Sequence, residues 1–186
     1  MRRIATLALA ILIAAPLVAG TLAGVSMPES SKAGDHPLVL NGMGLRSKAM
    51  FKVYVAGLYL PEKQGDWQAV LAADTPRQTL MQWMRSVDKG KICEGWKEGL
   101  EANTPNPSPD VKAGFDTLCS YTDDTRTGDK FLFTYIPGKG TEVAINGKVK
   151  GDIPGKGFAD ALWACWIGAH PGPGESFRDA LMGKSS

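Results

Sequence analysis

Between Leu38 and Leu60 the chain is largely apolar, broken around Asn41-Gly42-Met43-Gly44-Leu45-Arg46, at Ser47-Lys48 and at the single Lys52. This stretch limits the folds open to it. Its second half, Phe51-Lys52-Val53-Tyr54-Val55-Ala56-Gly57-Leu58-Tyr59-Leu60, is apolar on both parities. A half-exposed strand would alternate, so this pattern asks for cover on both faces. Gly42 and Gly44 permit backbone angles or close approaches that a side chain prevents. The reading is a short strand at Leu38–Leu40, a tight glycine bend, and a central buried strand over Met50–Leu60, closed by the turn residues Pro61 to Asp66. Arg46 and Tyr54 are the candidate pair here. Facing a cavity, they would hold an anionic or carbonyl-bearing ligand.

The rest of the chain supplies the layers. Trp67–Ala73 reads as a short helix or a loop. Arg77–Val87 reads as a strand with Met81, Trp83 and Val87 on one parity. Asp88 caps a helix whose inner face is Ile92, Cys93, Trp96, Gly99, Leu100 and Asn103. Ser108-Pro109 opens a second helix, with serine as cap and proline at the first position. Three strands follow, Lys130–Ile136, Thr141–Ile145 and Lys148–Ile153, the last two joined by Asn146-Gly147, a strong two-residue hairpin turn. Phe158, Ala161, Leu162, Cys165, Trp166 and Ala169 mark a helix with a wide apolar face, and Ser176–Met182 a final short one. Hairpin-linked strands and grouped helices predict an α+β fold, an antiparallel sheet covered on one face by helices.

The first residues read as a secretory signal peptide, with a basic start (Met1-Arg2-Arg3), an uncharged apolar run (Ile4–Ala15), Pro16, and small residues before a cut after Gly20. The run is shorter than the ~20 residues of a spanning helix. Ala23-Gly24 would serve as a cut site as well. Residues 21–37, small and polar, read as a flexible lead-in, and residues 38–184 as the domain. A periplasmic or secreted location follows, with no stable membrane anchor after cleavage. Loss of Arg2 and Arg3 leaves 19 basic residues against 19 acidic ones. A near-neutral protein has no overall attraction to nucleic acid or to an anionic membrane. Three cysteines leave at least one thiol free. Cys93 and Cys119, on consecutive predicted helices, are the candidate disulfide; the alternative is three small buried hydrophobes. Two histidines in separate loops and no C-x-x-C pair give no support to zinc or covalent haem, and no cofactor is expected.

The ordered set Asn41-Gly42-Met43-Gly44-Leu45-Arg46, Phe51–Leu60, Phe131–Tyr135 with Pro137-Gly138 and Gly140-Thr141, Asn146-Gly147 and Ala161-Leu162 to Trp166-Ile167-Gly168 resembles the chalcone isomerase fold family, and within it the exported bacterial chalcone isomerase-like branch. The resemblance implies an open-faced sandwich over residues 38–184. It also implies that Arg46 is the arginine that reaches the ligand, and that Tyr54 matches a ligand-side position, threonine in the plant enzymes and tyrosine in the fatty-acid binders. The plant enzymes add a tyrosine before the first long helix and an asparagine within it. This chain has Val87-Asp88-Lys89-Gly90 and Glu94-Gly95-Trp96 there. The expectation is therefore a non-catalytic protein binding a small amphipathic anion, fatty-acid-like or polyphenol-like. The alternatives are an isomerase (intramolecular lyase) in which Arg46 stabilises a phenolate or enolate, and an envelope protein that binds a partner and keeps a vestigial cleft. Other residues have plainer readings: Lys52 snorkelling to the sheet edge, Arg85 in a surface ion pair, Trp83, Trp96 and Trp166 as core, and Asp88 and Glu94 as helix-start residues.

Overall fold

A computed structural model describes residues 18–184. In chain order the elements are β1 (Val18–Leu22), β2 (Val25–Pro28), β3 (Ser30–Ala33), β4 (His36–Lys48), β5 (Phe51–Leu60), α1 (Trp67–Ala72), β6 (Arg77–Trp83), α2 (Lys89–Asn103), α3 (Pro109–Tyr121), β7 (Lys130–Ile136), β8 (Gly140–Ile145), β9 (Lys148–Ile153), α4 (Lys156–Ile167) and α5 (Glu175–Leu181). Strands β3 to β9 form one seven-stranded sheet in sequence order, antiparallel throughout. This is the α+β architecture expected. The local signals hold as well. Asp88 and Ser108 cap α2 and α3, accepting from the Gly90 and Val111 backbone N–H groups, and Asn146 and Gly147 turn with φ of 51° and 76°.

β5 shows why its sequence is apolar on both parities. Tyr54, Ala56, Leu58 and Leu60 pack into the core beneath the helices. Val55 and Tyr59 pack on the opposite face with Val25, Met27, Ala33, Leu38 and Leu40. That second face corrects one expectation. Residues 21–37 are not a flexible lead-in: β1 and β2 form a hairpin on the back of the sheet, β3 pairs with β4, and Val25, Met27 and Ala33 are buried. A few buried apolar side chains offset the ordering cost of an otherwise small, polar segment. The predicted leader lies outside the described residues up to position 17, while Val18 to Gly20 belong to β1.

The glycine bend is also corrected. β4 runs unbroken through Gly42 and Gly44. Leu40 pairs with Tyr59 and Gly42 with Leu58, so Asn41 is an extra residue, a β-bulge. The glycines serve a close approach rather than a turn. A Cβ on Gly42 would sit 2.1 Å from the Ala180 carbonyl oxygen, and one on Gly44 would sit 2.8 Å from the Phe177 ring. α5 lies directly on them.

Cys93 of α2 and Cys119 of α3 are joined by a disulfide with Cα atoms 5.5 Å apart, within the usual range. Cys165 is free and buried. Arg77, fully buried, fastens the opening turns of α4 to the sheet. It donates to Asp160 at 2.5 Å and to the Val70 carbonyl at 3.0 Å, between the rings of Tyr135 and Trp163.

Candidate ligand-binding site

The bulge at Asn41 decides what faces the helices. Before it, Leu38 and Leu40 point to the back of the sheet. After it, Gly42, Gly44 and Arg46 lie opposite Leu58, Ala56 and Tyr54, on the helix side. Asn41 is held in place by its own side chain, which donates to the Leu181 carbonyl at 2.8 Å and accepts from the Gln64 N–H at 2.8 Å. Arg46 therefore emerges just beyond the two glycines that α5 covers, beside Tyr54 across the ladder.

Both residues line a cavity of about 690 Å³ between the sheet and α2. Its inner wall is apolar: Met81 and Trp83 from β6, Ile92 and Trp96 from α2, and Trp166 from α4. The three tryptophans serve as core and as lining at once. Tyr54 packs edge-on against Trp83 and Phe177, and Trp96 edge-on against Trp166. The Tyr54 hydroxyl accepts from Trp166 Nε1 at 3.3 Å, and its own proton has no acceptor among the described residues. Burial pushes this phenol up to about 12, against the smaller opposing pulls of the Trp166 N–H and the Arg46 guanidinium. It stays a neutral donor at any physiological pH. Burial likewise raises the Cys165 thiol to about 12, which leaves it protonated.

Arg46 is half-buried, and its Nη1 donates to the Gly172 carbonyl. It forms no ion pair among the described residues. The Gly172 loop, a Pro/Gly-rich run that follows α4, forms one side of the site. Asn103 clamps it to the end of α2, donating to the His170 carbonyl and accepting from the His170 N–H, each at 2.8 Å. Nothing local in His170-Pro171-Gly172-Pro173-Gly174 signals this role, since the partners lie far away in sequence. Arg85 also lines the cavity, but in no ion pair among the described residues; its guanidinium stacks on Phe51 at 4.5 Å.

The positions where chalcone-closing enzymes place a tyrosine and an asparagine do border the cavity, through Val87, Asp88, Glu94 and Gly95. Asp88 Oδ1 is occupied by the Gly90 N–H at the start of α2. The site thus offers two guanidiniums, Arg46 beside the phenol and Arg85 stacked on Phe51, one neutral phenol and an aromatic wall. It can hold an anion at one end and an apolar body behind it.

The fold has a counterpart among solved structures. An Arabidopsis thaliana fatty-acid binding protein superposes with a TM-score of 0.69 at 18% identity, covering 86% of this chain and 92% of that one. No curated protein matches the chain. The family model described as chalcone isomerase-like matches residues 19–183, nearly the whole described span, and the chain belongs to that family.

Proposed function

We propose that this protein is an exported, non-catalytic binder of a small amphipathic anion, fatty-acid-like or polyphenol-like, held between sheet and helices. One observation carries the reading: Arg46 and Tyr54, which among the described residues have no carboxylate partner and no acceptor for the phenolic proton respectively, stand side by side on the wall of a cavity whose inner end is apolar. The volume falls in the range of small-molecule sites, about 300–1,000 Å³. The likeness to a fatty-acid binding protein supports the same class of ligand. Export is supported by the basic and apolar first residues and agrees with the disulfide.

The energetics divide the labour. A hydrogen bond to a charged group contributes about 1.5–3 kcal/mol, whereas each buried methylene contributes about 0.8 kcal/mol. The apolar body supplies most of the affinity, and Arg46 orients the head. Titration with oleate in detergent-free buffer is expected to saturate, and Arg46→Ala to weaken it by about 10- to 100-fold. Native mass spectrometry of freshly exported protein should carry a co-purifying ligand that the variant loses. Equal titrations for both proteins would sink the reading. The intact mass in the same spectrum should lack residues 1–20, and a full-length mass would refute export with cleavage.

A further inference from the structure

The rim of the cavity ends in the β4–β5 hairpin tip. Met50 is 93% exposed and Phe51 58%; Val149, on β9, is the other exposed large hydrophobe among the described residues. A lone exposed apolar side chain needs no explanation. Here two adjacent ones cap a ribbon that is surrounded by cations. Lys48, Lys52 and Arg85 are all exposed, and none forms an ion pair among the described residues. Lys48 pairs with Phe51 and Ser47 with Lys52, so the two lysines lie on opposite faces of the ribbon. Arg85 stacks on the Phe51 ring. The acidic lining residues, Asp88, Glu94 and Glu98, all lie on the opposite wall, at and along α2.

We propose that this tip docks on the surface of an anionic lipid bilayer, with Met50 and Phe51 entering the headgroup region and Lys48, Lys52 and Arg85 on the lipid phosphates. An acidic protein fits less well. A specific protein interface needs about 800 Å² per partner, which the end of a two-stranded ribbon does not present, whereas a headgroup layer requires no matching shape. The chain's near-neutral total does not oppose this, because the field of a surface patch is felt only within a Debye length, about 8 Å at physiological salt. Docking is peripheral: no helix among the described residues is long and apolar enough to cross a membrane. Its use rests on the cavity reading. Lys48 and Phe51 belong to both tip and cavity, so a docked molecule opens its cavity where an amphipathic anion leaves the bilayer.

Flotation of ligand-free protein with vesicles tests the surface. Association is expected with phosphatidylcholine–phosphatidylglycerol vesicles at low salt, and not with phosphatidylcholine alone or at high salt. Lys52→Gln should weaken it roughly fivefold, and Met50→Asp about tenfold or more. Neither residue lines the cavity, so both variants keep the wild-type oleate titration in vesicle-free buffer. Several results would overturn the proposal: no association, equal association with neutral vesicles, or wild-type behaviour in both variants. So would tip-dependent binding to polyglutamate, or tip-dependent self-association, in a protein that ignores vesicles. A flat oleate titration would refute the ligand reading and leave the docking result standing; absent flotation with an intact titration would do the reverse.

Discussion

Arg46 and Tyr54 become neighbours through a residue that does not itself line the cavity. Without the extra residue at Asn41, the even-numbered side chains of β4 would keep one face throughout, and Arg46 would share the back of the sheet with Leu38 and Leu40. Tyr54 then contributes in two ways that pH and mutation separate. Its folded value of about 12 lies above the ordinary 10.0, so the unfolded chain releases the phenolic proton first. The stability this gives is complete below pH 10 and is lost as pH rises toward 12. Cys165 shifts in the same sense from 9.0, so the decline begins near pH 9. Urea midpoints measured against pH should be flatter above pH 10 in Tyr54→Phe than in the wild type; parallel curves would show that Tyr54 does not carry the effect. At neutral pH the same variant removes one neutral donor, worth about 1 kcal/mol, and should weaken oleate binding about fivefold, less than Arg46→Ala does.

Helix α5 reaches the sheet only because β4 presents bare backbone to it. At Gly42 a Cβ would meet carbonyl oxygens of Ala180 and Leu181 at 2.1 and 2.7 Å, which cannot turn aside. At Gly44 it would meet the Phe177 ring, which can. Gly42→Ala should therefore cost about 3 kcal/mol and Gly44→Ala about 1–2 kcal/mol, read as urea midpoints at constant slope. The reverse order would mean that α5 is not seated as described. The glycines were plain in the sequence, and their purpose was not. A turn and a helix resting on a strand both call for glycine, and only the presence of α5, some 140 residues later, tells them apart. Helix caps and the Asn146-Gly147 hairpin were legible because each is settled within a few residues of backbone.

The described residues form two cores, one on each side of the sheet. The back core depends on the β1–β2 hairpin, where Met27 is buried and the Tyr59 hydroxyl donates to the Pro28 carbonyl at 3.0 Å. Deleting residues 1–28 should uncover Leu38, Leu40, Val55 and Tyr59, lower the melting temperature and raise hydrophobic-dye binding; an unchanged melting curve would show that the hairpin is dispensable. Cleavage after Gly20 would leave Thr21 and Leu22 to pair with Ser26 and Val25, whereas cleavage after Gly24 would remove β1. Residue order alone was enough for the α+β class and most element types, since periodicity, capping and turn chemistry act over short spans; Arg46 and Tyr54 were singled out mainly through the family resemblance, and the structure places both on the cavity wall. Which way β4 faces, what covers the back of β5, and who partners the two site residues were settled only on folding. Arg46 meets Gly172 across 126 residues and Tyr54 meets Trp166 across 112, and contacts at that separation leave no local trace in the chain.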